Sequence, residues 1–150
     1  MIKHQGGCHC GNVRFKTEYD PLLVYQCNCS RCRRLTGTLN VGTILGTTEV
    51  EFTGITKEYI TPGGSGMPLH LFFCPECGTR VYGEAEAVEG FRLIPIGAYD
   101  DSLQFEPKFE MFNNYKMKWI RNNGCVQESY EEAAVIERIQ KLMENLDQRE

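Results

Sequence analysis

The 150-residue chain predicts one mainly β domain, closed by a C-terminal amphipathic α-helix and held by two zinc sites. Three observations predict it. Turn residues recur every few positions, with short β-branched and aromatic segments between them. Sustained helical periodicity of apolar residues begins only after Glu131. Seven of the eight cysteines fall into three tight clusters: Cys8-His9-Cys10, Cys27-Asn28-Cys29-Ser30-Arg31-Cys32 and Cys74-Pro75-Glu76-Cys77-Gly78.

The turn signals run along the chain as Gly6-Gly7, Asp20-Pro21, Gly37, Gly46, Gly54, Pro62-Gly63-Gly64, Gly83, Gly90, Gly97 and Asn122-Asn123-Gly124. The segments between them read as strands: Val13–Phe15, Val41–Leu45, Val50–Phe52, Lys57–Ile60, Leu69–Phe73, Phe91–Ile96 and Phe109–Phe112. Leu69, Leu71 and Phe73 alternate with His70 and Phe72, as a strand with two different faces requires. No βαβ alternation is present, so the pairing is expected to be mostly antiparallel and a parallel sheet is discounted. Cys27 to Thr36 reads as a turn leading into a short helix. Val135, Ile136, Ile139, Leu142, Met143 and Leu146 recur at helical spacing, with Ser129 and Glu132 as a capping box ahead of them. The expected division is therefore a zinc-binding β domain over residues 1–130 and a helix over 131–150 packed on it. The pattern spans too few heptads for a coiled coil.

Net charge is −4. A protein that binds phosphate backbones carries a basic excess, so nucleic acid is disfavoured as a partner. One local basic cluster exists, at Arg31, Arg33 and Arg34. The amino terminus has no apolar signal core, and no run of about 18 apolar residues is available to span a membrane. A cytoplasmic address is expected. There the thiols stay reduced, which favours metal over disulfide.

Close thiol pairs are how a backbone chelates a soft metal. Zn²⁺ takes four ligands in a tetrahedron with sulfur about 2.3 Å away, and an open fourth position is what lets a zinc site do chemistry. Seven clustered thiols divide naturally as four plus three. Cys74-x-x-Cys77-Gly78 is knuckle-like and needs a second pair; Cys8 and Cys10 form the only cluster of two. Cys27, Cys29 and Cys32 then make a second site with a free corner. Cys125 is isolated and reads as a packing residue; were it to reach the second ion, that site would be closed and the protein purely structural. His4, His9 and His70 lack the spacing of a ligand pair and are not expected to bind metal.

The three cysteine segments, Gly7 to Phe15, Cys27 to Gly37 and Phe73 to Thr79, together resemble the signature of the glutathione-dependent formaldehyde-activating enzyme family, whose domain centromere protein V shares. Gly97, Asp100-Asp101, Pro107 and Trp119 are similar to its weaker C-terminal pattern, so the resemblance covers roughly residues 5–130. It implies coiled, mainly antiparallel β-sheets. It implies a structural zinc on Cys8, Cys10, Cys74 and Cys77, and a catalytic zinc on Cys27, Cys29 and Cys32. It implies a carbon–sulfur lyase that adds glutathione to formaldehyde. This sequence departs from the pattern at Asn28 and Glu110, where histidine is frequent, and at Leu39, near which an aromatic residue is common.

Two function classes follow. One is a zinc enzyme acting on a small thiol and an aldehyde, with Arg31, Arg33 and Arg34 either candidate substrate-binding residues that offset the charge of three thiolates or hold a carboxylate, or equally a solvated basic patch. The other is a zinc-stabilised binding module for protein or nucleic acid. Zinc count and the openness of the second site discriminate them.

Overall fold

The computed structural model describes residues 1–132 and 149. The expected helix over 131–150, with its packing on the β domain, lies outside the described residues but for its first two positions and Arg149.

Among the described residues eleven strands and one short α-helix follow in order: β1 (His4–Gly7), β2 (Arg14–Thr17), β3 (Leu23–Cys27), α1 (Ser30–Thr36), β4 (Asn40–Gly46), β5 (Val50–Thr53), β6 (Lys57–Pro62), β7 (Pro68–Phe73), β8 (Arg80–Ala85), β9 (Phe91–Pro95), β10 (Phe109–Met111) and β11 (Glu128–Ser129). They form a three-stranded sheet, β1-β2-β5, and an eight-stranded sheet, β11-β10-β3-β4-β9-β8-β7-β6. The expected strands are present, each within one or two residues of its boundaries, except that Ile96 leaves β9 for a 3₁₀ turn. The pairing is antiparallel except at one edge, where β10 runs parallel to both β3 and β11. That corrects the discounted parallel pairing. The chain returns to β3 from more than 80 residues away, so no βαβ unit announces it.

Strands β1, β3, β8 and β11 were not marked by sequence pattern, and glycine hid two of them. Gly6 and Gly7 read as a turn but sit inside β1. A Cβ on Gly6 would come within 2.0 Å of the Ala98 carbonyl oxygen, so glycine is there for close backbone approach rather than for turning. Likewise Gly83 lies within β8, opposite Leu93 of β9. Ser129 belongs to β11, with no helix over the described residues 130–132 that follow it, and its hydroxyl donates to Glu110 Oε1 at 2.9 Å while accepting from Asn113 Nδ2 at 2.6 Å.

Period-two alternation lets the large sheet serve two cores. Leu45 and Ile94 face one side, where Val13, Phe15 and Val50 of the small-sheet region pack on Val81 and Tyr99. Ile44 and its neighbour Leu93 face the other, with Leu23, Tyr25, Cys27, Cys29 and Phe109. Strands from β10 round to β7 line one shared hollow on this second side, so the sheet coils about it. No helix among the described residues is long and apolar enough to cross a membrane.

Candidate metal centre and adjoining cavity

The fold gathers seven thiols into two groups, Cys8-Cys10-Cys74-Cys77 and Cys27-Cys29-Cys32, with the sulfurs of each group within 4.8 Å of one another. In the first group two loops meet. The turn after β1 closes with the Val13 N–H donating to Cys8 Sγ at 3.2 Å. The knuckle after β7 closes with the Gly78 N–H on the Cys74 carbonyl at 2.8 Å, Gly78 taking the left-handed backbone that such a turn needs (φ 74°). The Thr79 hydroxyl and N–H hold the Cys77 thiol down at about 5. Cys8–Cys10 and Cys10–Cys74 sulfurs are 3.6 and 3.7 Å apart. A tetrahedron with zinc–sulfur bonds of about 2.3 Å has edges of about 3.8 Å, so these thiols fit zinc.

The second group joins a strand end to a helix start. Cys27 is the last residue of β3; Cys29 caps α1, its sulfur accepting the Cys32 N–H at 3.3 Å; Cys32 sits in the first turn. The helix stops at Gly37, whose N–H reaches the Arg33 carbonyl at 2.8 Å. Hydrogen bonding from the Cys27 and Cys32 thiols pulls Cys29 down to about 2, whereas the same contacts, with burial, push Cys27 far up. Three sulfurs this close oppose one another's ionisation, and a cation at their centre suits this donor set. Cys125 is half-buried and belongs to neither group.

All three sulfurs of the second group line a cavity of about 170 Å³ whose remaining wall is largely apolar. Arg31 and Arg80 are its cationic lining residues. The Arg80 guanidinium donates to Asn40 Oδ1 at 2.6 Å, and Asn40 is the cross-strand partner of Cys27.

Residues 3–115 match the family model described as glutathione-dependent formaldehyde-activating enzyme. The chain belongs to that family. A crystal structure of a Rhodobacter sphaeroides protein is similar in fold, with a TM-score of 0.51 and 15% identity over 84% of this chain and 98% of that one.

Within this member of the glutathione-dependent formaldehyde-activating enzyme family, the two departures from histidine touch each other. Asn28, between two cavity thiols, donates from Nδ2 to Glu110 Oε2 at 3.1 Å and to the Met111 carbonyl at 3.1 Å. Gln26 Nε2 bonds both Asn28 Oδ1 (3.0 Å) and Glu110 Oε2 (3.3 Å), and the Lys116 ammonium lies 3.2 Å from that same carboxylate oxygen. Gln26, Asn28 and Glu110 are all buried. This network fixes the Cys27-Asn28-Cys29 corner to β10.

The other candidates separate. Of the three arginines, Arg31 lines the cavity; Arg33, half-buried, and Arg34, exposed, do not. The histidines stay off the thiols. His9 is exposed, His4 is held between Asp20 (2.8 Å) and Asp101 (2.9 Å), and His70 lies between Glu58 and Glu86. Arg80 was not singled out by sequence, its only signal being its place just past the knuckle.

Proposed function

We propose that this chain is a zinc-dependent enzyme that forms a carbon–sulfur bond between a small thiol of the glutathione type and an aldehyde such as formaldehyde. In this reading Cys27, Cys29 and Cys32 hold the metal at the reacting end. Cys8, Cys10, Cys74 and Cys77 hold a second zinc that ties the β1 and β7 loops together. One observation carries the reading: the three-sulfur group opens on a cavity and has no fourth histidine, cysteine or carboxylate donor among the described residues. The four-sulfur group is complete.

Zinc on three thiolates supplies a position that keeps a thiol deprotonated at neutral pH, since a coordinating thiol loses its proton outright. The protein's own residues do the rest. Arg31 and Arg80 set positive charge beside the sulfurs, where a substrate carboxylate is held. The apolar wall excludes water from the electrophile. The balance is simple: the thiol proton leaves to solvent, a sulfur–carbon bond forms, the carbonyl π pair moves to oxygen, and that oxygen takes a proton. Membership of a family described by glutathione and formaldehyde supports this reading.

The test is two-dimensional NMR exchange of glutathione with formaldehyde, with and without the zinc-loaded protein. Faster exchange with the native chain and none above background with Cys29→Ala is the expected result. Equal exchange in all three samples removes the activity.

A further inference from the structure

The cavity beside Cys27, Cys29 and Cys32 is poorly matched to formaldehyde alone. Its volume is about 170 Å³ and its wall carries Leu23, Ile44, Leu71, Leu93 and Phe109. A cavity of about 150 Å³ lined by such side chains takes up benzene. Formaldehyde has two heavy atoms and no apolar group, so it would leave most of this surface facing water. Small residues, Gly83, Ala85 and Ala87, form part of the lining, so a longer side chain at Ala85 would take up the hollow's space. Charge enters the lining only at Arg31 and Arg80, among the described residues. Arg80 reaches Asn40, which pairs with Cys27, and Arg31 lies between Cys29 and Cys32 in the chain. A charged thiol therefore belongs at the sulfur end, and the apolar wall is left for the other reactant.

We propose that the electrophile of this protein is an aldehyde bearing an apolar substituent of about six carbons, aryl or straight-chain alkyl, and that this cavity is the subsite for that substituent. The inference rests on the thiol–aldehyde reading above and names its substrate class. The bond made is the same, a sulfur–carbon bond at the carbonyl carbon, with the proton passing to the carbonyl oxygen through solvent.

The experiment uses the zinc-loaded full chain, glutathione and straight-chain aldehydes from propanal to decanal, across which carbonyl reactivity is nearly uniform. Exchange measured by NMR should give a kcat/KM that rises about fourfold for each added methylene, equivalent to about 0.8 kcal/mol per buried CH₂, and levels off once the chain exceeds the cavity. Ala85→Leu should lower the hexanal-to-propanal ratio about tenfold. A second measurement does not depend on that variant or on turnover: hexan-1-ol should shift the methyl signals of Leu23, Ile44, Leu71 and Leu93. A flat series with propanal still accelerated overturns the subsite and leaves the thiol–aldehyde reading standing. Hexan-1-ol shifts that fall elsewhere overturn the subsite too. Fourfold increments appearing with alkyl thiols and formaldehyde, but not with the aldehyde series, assign the cavity to the thiol and overturn the proposal. No acceleration with any aldehyde, formaldehyde included, overturns both readings.

Discussion

Removing the Glu110 carboxylate should loosen the corner that carries Cys27 and Cys29. Glu110 is 6% exposed, and its Oε2 meets Gln26 Nε2 at 3.3 Å, Asn28 Nδ2 at 3.1 Å and Lys116 Nζ at 3.2 Å. A hydrogen bond to a charged group contributes about 1.5–3 kcal/mol. In Glu110→Ala the donors keep second partners: Asn28 Oδ1 for Gln26, the Met111 carbonyl for Asn28, Asn122 for Lys116. The lower end of the range therefore applies, and the three Oε2 contacts give a loss of about 4.5 kcal/mol; Ser129, which donates to Oε1, is exposed and turns to water instead. This agrees with the roughly 3–5 kcal/mol cost of removing one partner of a buried pair. Against a typical net stability of about 5–15 kcal/mol, that loss is large. Urea unfolding of the zinc-loaded chain reads it directly: at a slope of about 2 kcal/mol per molar, the midpoint should fall by about 2 M. Glu110→Gln keeps a neutral acceptor for Gln26 and Asn28 and should cost about 1–2 kcal/mol. Because Asn28 lies between two candidate ligands, Glu110→Ala should also weaken metal binding at Cys27, Cys29 and Cys32 by about 10–100-fold, the usual penalty for losing a group that orients ligands. A Glu110→Ala midpoint within 0.5 M of the native one, or a Glu110→Gln variant as damaged as the alanine, would refute the reasoning.

Zinc analysis should give two ions per chain for the native protein and for Cys125→Ala; a loss of one ion in Cys125→Ala would show that the second site is closed. Cys74→Ser should lose one zinc and unfold, because it breaks the link between the β1 and β7 loops, whereas Cys29→Ser should lose the other and keep the β-sheet circular dichroism of the native chain. Hydrogen bonding to Glu58, then Glu86, holds the His70 pKa above the usual value of about 6.5. A raised folded value stabilises fully below about 6.5, and that contribution is lost as pH rises through the folded pKa. An NMR titration should place the His70 midpoint above that of a model histidine, and Glu58→Gln should bring it down; an unshifted midpoint in the native chain would contradict the two contacts.

The metal chemistry was readable because it is local. Two residues between thiols, or one, bring sulfurs together within each cluster whatever the remainder of the chain does, and the count suggests four plus three; the meeting of Cys10 with Cys74, 64 residues on, is tertiary. The strands Val41–Leu45, Lys57–Ile60 and Leu69–Phe73 were readable for a similar reason, since β-branched and aromatic content between turn residues is a property of neighbours. Gly6 misled because glycine serves turning and close approach alike, and only the Ala98 carbonyl, 92 residues away, distinguishes the two. The three arginines, neighbours in sequence, part on the helix: Arg31 lines the cavity, and Arg33 and Arg34 lie outside its lining.

By itself, then, the order of residues determined the three thiol clusters, the β character and the kind of metal such clusters suit. The tertiary structure decided what each group faces. It joined Asn28 to Glu110, brought Arg80 beside the second group of sulfurs, and coiled one sheet around an apolar hollow. Those are contacts between segments tens of residues apart, and no period or spacing along a chain encodes which distant side chain fills, or fails to fill, a given space.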